Sequence, residues 1–352
     1  MEQHVELGLD TFGDVSDGPD GVLRSHGQVI RDVVAEGVLA DQVGLDFFGV
    51  GEHHRVDFAV TAPEVVLAAV AARTERIRLG SAVTVLSSDD PVRVYERFAT
   101  LDAISNGRAE VILGRGSFIE SFPLFGYDLD QYEVLFEEKL ELFVKLIREQ
   151  PVTWSGTTRA ALREQHVFPT TESGTLTTWV GVGGSPQSIV RAATHQLPLT
   201  LAIIGGDPRR FVPFADLYRA TLDELGAPPL PIAVHSPGFI ADTDEQARNE
   251  LWPYYREFRN KLGAERGWGP AGRSEFAREA GPSGSLYVGS PDTVARKIAS
   301  TVSALGAARF DLKYTAGRAP HALSMRTIEL FGTKVAPLVQ ELLAERRESV
   351  LA

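Results

Sequence analysis

Residues 77–114, IRLGSAVTVLSSDDPVRVYERFATLDAISNGRAEVILG, decide the fold class. A run rich in apolar residues at 77–86 predicts a strand, and Pro91 opens a segment of helical periodicity that ends near Asn106. A second apolar run at 109–114 predicts another strand. A strand, a helix and a second strand in this order favour parallel pairing through a right-handed crossover.

The same alternation extends along the chain in both directions. Predicted strands alternate with helical segments at 5–12, 47–51, 77–86, 109–114, 178–182, 199–204, 232–240 and 308–314. Eight such units predict an α/β fold of the TIM (β/α)8 barrel type, and a doubly wound sheet ranks second because no GxGxxG turn follows the first strand. We therefore predict a single barrel domain over residues 1–352, with a hairpin or loop inserted at about 151–176 and a lid or mobile loop at about 263–287.

Composition excludes several classes of protein. The 352 residues contain no cysteine, which excludes disulfides, thiolate metal sites and a cysteine nucleophile. A net charge of −12 argues against nucleic-acid binding, which needs a clustered basic surface. No apolar run is long enough for a membrane-spanning helix, and the first residues, MEQHVE, lack the features of a signal peptide. We therefore expect a cytoplasmic protein.

Polar side chains follow the second predicted strand, at the end of the barrel where TIM-barrel enzymes carry their active sites. Gly51 is followed there by Glu52, His53 and His54. One interpretation is an acid–base group or a binding group for an anion or a peroxide, because imidazole changes its charge near neutral pH. A metal site is disfavoured, because adjacent side chains point to opposite faces of a strand and the other histidines are dispersed. A structural hydrogen-bonding role for either histidine is the third interpretation.

Two later strand ends have features of an anion site. Arg115 stands between two glycines, which suits a bidentate grip on phosphate or carboxylate, and pairing with a nearby acid is the alternative. The fifth predicted strand leads through Gly183 and Gly184 into a helix that starts at Ser185 and carries Ser188 in its first turn. Free N–H groups and the helix dipole favour an anion there, whereas a plain N-cap at Ser185 is the alternative.

Together these motifs resemble the bacterial luciferase-like flavin monooxygenase family. The resemblance rests on the order of GEHH at 51–54, GSAV at 80–83, LDAISNGR at 101–108, GRG at 114–116, FPLFG at 122–126, GGS at 183–185 and IELFGTKVAP at 328–337. It spans most of the chain and implies a TIM barrel with a flavin at its carboxyl-terminal mouth. The usual flavin of the family is reduced FMN, often supplied by a separate reductase. Some relatives use a deazaflavin coenzyme and do not activate oxygen.

The resemblance also implies roles for individual residues. His53 matches the catalytic histidine, Arg115 an arginine near the flavin phosphate, and Glu96 an acid near the flavin chain. The bond between Ala82 and Val83 matches a non-proline cis peptide beneath the flavin ring. The full set expected around the cofactor is Glu52, Ala82, Val83, Glu96, Arg115, Gly183, Gly184, Ser185 and Ser188.

The expected substrate contacts are His54 and aromatic side chains near the mouth. Phe118 and Phe122 are the aromatic residues assigned to the substrate, and Phe12 and Phe48 are further candidates for apolar walls. One departure from the family concerns the phosphate. Luciferase has a second arginine soon after its FGxD segment, where this chain has Asp130, Gln131 and Glu133.

The resemblance implies a flavin-dependent monooxygenase that acts on a small organic substrate with reduced FMN and molecular oxygen. His53 is expected to shuttle a proton during oxygen transfer. Two alternatives stay open, a deazaflavin-dependent hydride-transfer oxidoreductase and a non-catalytic flavin-binding protein. We expect a homodimer with a separate flavin reductase as partner, and neither a nucleic-acid nor a membrane partner.

Overall fold

The computed structural model describes residues 4–116, 118–148 and 150–351. The strands are β1 (Glu6–Thr11), β2 (Phe47–Val50), β3 (Arg78–Ser81), β4 (Thr84–Val85), β5 (Ala109–Gly114), β6 (Val152–Trp154), β7 (Leu162–Gln165), β8 (Thr177–Val182), β9 (Leu199–Ala202), β10 (Ile232–Ile240), β11 (Tyr287–Gly289) and β12 (Arg309–Lys313). The first six helices are α1 (His26–Gln42), α2 (Pro63–Ala71), α3 (Pro91–Ile104), α4 (Ser121–Phe125), α5 (Tyr132–Arg148) and α6 (Pro186–Thr194). The remaining ones are α7 (Val212–Glu224), α8 (Asp244–Arg266), α9 (Arg273–Glu279), α10 (Pro291–Leu305), α11 (His321–Leu330) and α12 (Ala336–Leu351).

Parallel strands close into an eight-stranded barrel. Their order is β1, β2, β3, β5, β8, β9, β10 and β12, and β12 pairs back onto β1. Leu9 of β1, for example, lies in register with Phe48 on one side and Leu312 on the other. This closing pair confirms the predicted TIM barrel and excludes the doubly wound sheet, whose first and last strands would be open edges.

The segment predicted as one strand at 77–86 is interrupted. It forms β3 and β4, and the peptide bond between Ala82 and Val83 is cis, as the resemblance predicts. The helical segment at the end of the chain is likewise interrupted, because a π-helical turn, Phe331–Val335, separates α11 from α12. Between the fourth and fifth predicted strands, α5 is seen to Arg148, and Glu149 lies outside the described residues.

The two regions between barrel units have regular structure. Residues 152–165 form an antiparallel hairpin of β6 and β7. In the second region, the prediction of a loop over 263–287 is wrong, because α8 continues to Arg266 and α9 and β11 follow. Phe276 of α9 explains the difference: it is 2% exposed and packs against the rings of Trp252 and Tyr255 on α8. Burial of this aromatic cluster stabilises a helix where glycine content predicted a loop.

A charged group fills the amino-terminal half of the barrel. The guanidinium of Arg309, which is 1% exposed, donates to both carboxylate oxygens of Glu110 at 2.9 and 3.1 Å and to Glu6 at 2.8 Å. It lies 4.5 Å from the ring centroids of both Phe47 and Trp179. A paired and stacked arginine satisfies its donors while it occupies the barrel axis. The other end of the barrel, at the carboxyl ends of the strands, carries the candidate site.

No helix among the described residues is both long enough and apolar enough to cross a membrane.

Candidate active site

His53 lies at the end of β2 inside a cage of aromatic rings. Its ring centroid is 4.6 Å from that of Phe12, 4.7 Å from Phe58 and 4.8 Å from Phe118. Within the described part of the chain, no side-chain hydrogen bond reaches its imidazole. Burial lowers the pKa of His53 to about 4, against a smaller opposing effect of the Asp14 carboxylate. The imidazole is therefore neutral at pH 7 and can accept a proton.

Glu52 and His54, on either side of His53, have different surroundings. One carboxylate oxygen of Glu52 accepts a hydrogen bond from the backbone N–H of Val85 on β4. The other lies 3.4 Å from Nε2 of His54, whose ring meets the edge of Phe125 at a centroid distance of 5.0 Å. The two histidines thus diverge, as expected for neighbours in an extended segment. Glu52 fixes this loop to β4 and leaves His53 in the aromatic cage.

A second polar group at the same end of the barrel was missed by the sequence analysis. Nδ1 of His235 on β10 lies 2.6 Å from Oδ2 of Asp10 on β1. Lys313 of β12 donates to both carboxylate oxygens of Asp14 at 2.9 and 3.0 Å. Burial raises the pKa of Asp311, also on β12, to about 8. The available signal was polar residues inside strands that otherwise have the apolar composition of buried parallel strands.

Arg115 and the start of α6 come together as the sequence analysis predicts. Nη2 of Arg115 lies 3.4 Å from Oγ of Ser188, and the backbone N–H of Ser188 donates to the N-cap Ser185 at 3.4 Å. Arg191, one turn further along α6, was not predicted. Glu133 bridges the two guanidinium groups: one oxygen accepts from Arg115 and the other lies 3.2 Å from Nη2 of Arg191. The segment in which luciferase has its second arginine holds an acid here, Glu133. Arg191 of α6 supplies the second cation beside Arg115 instead.

These residues fit a phosphate group. Nη1 of Arg191 is buried and has no hydrogen-bond partner among the described residues. A Cβ added to Gly183 would meet no atom within 4 Å, so there is open space in front of the helix N-terminus. The Glu133 carboxylate, which is 65% exposed, stands where phosphate oxygens would bind. Two guanidinium groups, a hydroxyl and helix N–H groups are the donors that a phosphate monoester needs.

Comparison with known proteins identifies a family for this chain. The sequence profile of the luciferase-like monooxygenases matches residues 12–309. The chain belongs to the luciferase-like monooxygenase family.

Two relatives illustrate the range of similarity. The uncharacterized protein y4vJ of Sinorhizobium fredii is 32% identical over a segment that covers 39% of this chain and 39% of its own length. The 4-hydroxyprotoasukamycin monooxygenase of Streptomyces nodosus is 28% identical over 84% of this chain and 83% of its own length.

Solved structures of similar fold include monooxygenase RslO1 from Streptomyces bottropensis. It is 27% identical, with a TM-score of 0.81, over 94% of this chain and 99% of that one. The oxygenating component of 3,6-diketocamphane monooxygenase from Pseudomonas putida, solved with FMN, has a TM-score of 0.74 at 22% identity over 95% and 98%. The coenzyme F420-dependent tetrahydromethanopterin reductase of Methanopyrus kandleri has a TM-score of 0.70 at 18% identity over 95% and 99%. The last two likenesses concern the fold alone.

Three residues predicted for the site of this luciferase-like barrel have other surroundings. Glu96 lies in the middle of α3 and pairs with the exposed Arg93 at 2.8 Å. Phe122 is 1% exposed and packs on Tyr132, on the Arg115 side of the mouth and not around His53. Phe48 points out of the barrel toward the helices and packs near Tyr314, so the expectation that it forms a pocket wall is wrong.

The end of α8 covers the loop that carries His53. The guanidinium of Arg55 pairs with Glu120 and with Glu265 of α8, and it lies 4.5 Å from the ring centroid of Phe118. Lys261, one turn before Glu265, pairs with Asp57. These ion pairs join α8 to the aromatic cage of the luciferase-like site. The last turn of α8 thus lies over the loop that carries His53.

Proposed function

We propose that this chain is a flavin-dependent monooxygenase that uses reduced FMN and molecular oxygen on a small organic substrate. The proposal rests on two groups of residues that lie at the same end of the barrel. One is the cation pair formed by Arg115, after β5, and Arg191, on α6, and the other is the aromatic cage around His53. The first suits a phosphate monoester. The second suits an apolar substrate next to a neutral base.

The cation pair favours FMN over a flavin without phosphate. Arg115, Arg191, Ser188 and the N–H groups after Gly183 would hold the phosphate, and Glu133 would have to give up its contacts to both arginines. When bound, the reduced flavin supplies the electrons and activates oxygen. The protein has to orient the substrate, exclude water and move protons.

His53 is the residue that we assign to proton transfer. Its imidazole is neutral because burial lowers its pKa to about 4, so one ring nitrogen can accept a proton from the reacting molecule. Phe12, Phe58 and Phe118 exclude water from it on three sides. The ion pairs of Arg55 with α8 close the outer side. Exclusion of water favours oxygenation over the loss of oxygen as hydrogen peroxide.

The remaining parts of the proposal concern partners. We propose that the chain is a homodimer of single-domain subunits in the cytoplasm and takes reduced FMN from a separate reductase. The closed two-fold dimer is the commonest oligomer of soluble proteins. Light scattering at micromolar concentration checks the dimer, and a monomer mass would contradict it.

The test compares two reduced cofactors and two variants. Decanal and tetralone serve as substrate probes, with reduced FMN in one arm and a reduced deazaflavin in the other. We expect oxygen uptake and an oxygenated product with FMN only. Product without oxygen uptake in the deazaflavin arm would favour hydride transfer, and FMN binding without any product from either probe would favour a flavin-binding protein.

The matched variants are His53→Ala and His166→Ala; His166 is an exposed histidine directly after the β6–β7 hairpin. His53→Ala should keep its fold and FMN affinity but lose at least ~100-fold in product formation, while oxygen consumption continues as hydrogen peroxide. His166→Ala should behave as wild type. Coupled, wild-type turnover by a folded His53→Ala variant would refute the role of His53.

A further inference from the structure

The strongest unassigned feature of the site is the contact between Asp10 and His235. Nδ1 of His235 and Oδ2 of Asp10 lie 2.6 Å apart, which is the distance of a charge-assisted hydrogen bond. The Asp10 side chain is 1% exposed and that of His235 is 14% exposed. Among the described residues, no hydrogen-bond partner reaches Nε2 of His235, and this atom is not fully buried. Asp10 thus fixes one ring nitrogen and leaves the other open to the mouth of the barrel.

Titratable groups face His235 from two neighbouring strands. Asp10 comes from β1, and Asp311 and Lys313 come from β12. On the other side, β9 places the uncharged Ala202 in register with His235. Burial lowers the pKa of His235, but the contact with the Asp10 carboxylate outweighs the effect of burial, so that the pKa of His235 lies above its ordinary value. The local field therefore favours the cationic imidazolium.

The groups around this pair cost folding free energy, which a purely structural role for the pair does not explain. Oδ1 of Asp10 and both carboxylate oxygens of Asp311 are buried without a hydrogen-bond partner among the described residues. Buried polar atoms are otherwise almost always paired. Unpaired carboxyl groups around a titratable group at a barrel mouth are typical of functional sites.

His235 and His53 border the same aromatic wall. The Phe12 ring lies 4.6 Å from the His53 ring and 6.3 Å from the His235 ring, measured between centroids. A molecule that packs on Phe12 is therefore within reach of a neutral imidazole from β2 and a cationic one from β10. Two titratable groups whose surroundings move their pKa values apart are suited to opposite roles, one as base and one as acid.

We propose that His235, oriented by Asp10, is a second acid–base residue of this site and donates a proton from Nε2 to an oxygen atom of the molecule bound against Phe12. In this step the N–H bond of Nε2 breaks, an O–H bond forms, and the imidazolium becomes neutral imidazole. Solvent restores the proton, and no electrons are transferred. Asp10 keeps its charge and is a positioning residue.

This assignment also narrows the substrate class. A cation beside an apolar wall selects an apolar molecule with one carbonyl or phenolate oxygen, because that oxygen can accept the proton while the hydrocarbon body packs on Phe12. The inference rests on the proposed function in one respect, namely that the bound molecule is then oxygenated.

The first experiment follows the titration of His235 by nuclear magnetic resonance, on the full chain with isotope-labelled histidine and no flavin. Asp10→Asn keeps a hydrogen-bonding group but removes the charge, so the midpoint of His235 should fall by about 1 to 3 pH units. His166, exposed directly after the hairpin, is the internal reference, and its midpoint should be the same in Asp10→Asn and wild type. An unchanged midpoint for His235 in Asp10→Asn would overturn the role of Asp10.

The second experiment uses a ketone and its hydrocarbon analogue. Tetralone should shift the Nε2 resonance of His235 in the wild-type chain, whereas tetralin, which lacks the oxygen atom, should not. A response to neither compound, or an equal response to both, would overturn the proposal. These measurements need no turnover, so a ketone-specific shift without any oxygenation by reduced FMN would refute the proposed function and leave the assignment of His235 standing.

The third measurement is the pH dependence of turnover with reduced FMN and tetralone. His235→Asn should lower kcat by at least ~100-fold and abolish the alkaline limb of the profile. Asp10→Asn should shift that limb to lower pH with a smaller loss. His235→Asn with wild-type kcat and an unchanged profile would overturn the catalytic role.

Discussion

Replacement of Asp311 by asparagine should change how the stability of the protein depends on pH. Asp311 is 1% exposed on β12, and both its oxygens lack hydrogen-bond partners among the described residues. Its carboxyl group packs so closely on Gly8 that a Cβ added there would lie 2.2 Å from Oδ1. Burial raises the pKa of Asp311 from 3.8 to about 8, so that the native protein holds a proton that the unfolded chain releases in weak acid.

The sign and size of the effect follow from this difference. Because the native state binds the extra proton, this group stabilises the fold less as the pH rises from 3.8 toward 8. Between about pH 5 and about pH 8, the free energy of unfolding should fall by about 3–4 kcal/mol through Asp311 alone. Asparagine has nearly the same shape and cannot ionise, so Asp311→Asn should lose this part of the pH dependence.

The assay is urea unfolding, followed by circular dichroism, at several pH values in the wild-type chain and two variants. For Asp311→Asn, the free energy of unfolding should decline less steeply toward pH 8, and at pH 8 the variant should be more stable than wild type. Asp216→Asn, at a side chain that is 67% exposed, is the control and should follow the wild-type curve. Parallel curves for wild type and Asp311→Asn would mean that the native carboxyl group ionises in its ordinary range, and the reasoning from its burial would be refuted.

Three further predictions concern the phosphate site and the end of α8 that covers the His53 loop. Arg115→Ala should weaken the binding of FMN by ~1.5–3 kcal/mol and that of riboflavin much less, because a charged hydrogen bond to the phosphate is lost. Fluorescence titration measures both affinities, and equal losses for the two flavins would mean that Arg115 does not contact the phosphate. Glu133→Gln should instead strengthen FMN, because it removes the carboxylate that competes for both arginines. Arg55→Met should increase amide hydrogen exchange at the end of α8 because the pair with Glu265 is lost, whereas Arg296→Met, in an exposed helical pair, should not.

The sequence predicts the barrel because its repeating unit is local. Each strand and the helix after it have their own periodicity, and all eight barrel strands lie where apolar runs predict them. The errors occur where a contact distant in sequence overrides local composition. Phe276 packs on Trp252 and turns a glycine-rich stretch into a helix, and β11 forms only because β10 extends past the barrel to pair with it.

The same distinction between local and distant signals separates the site residues that the sequence predicts from those that it does not. Motifs that are continuous in the chain, such as Glu52 with His53 or Gly183 with Ser185, can be found in the sequence because a few adjacent residues carry the signal. Arg191 could not be found in this way. Its guanidinium matters only because α5 brings Glu133 and the β5 loop brings Arg115 to the same point.

The protonation state of the mouth depends on the closure of the barrel. His53 lies early in the chain, but the charged groups that act on it include Lys313, which belongs to the last strand. Nδ1 of His235 is held by Asp10 of the first strand, 225 residues away. Lys313 reaches His53, and Asp10 reaches His235, because β12 pairs with β1 on one side and β10 on the other. The early GEHH motif therefore supplies an imidazole, but closure of the barrel buries it and keeps it neutral, and closure also places the Asp10 carboxylate beside the imidazole of β10.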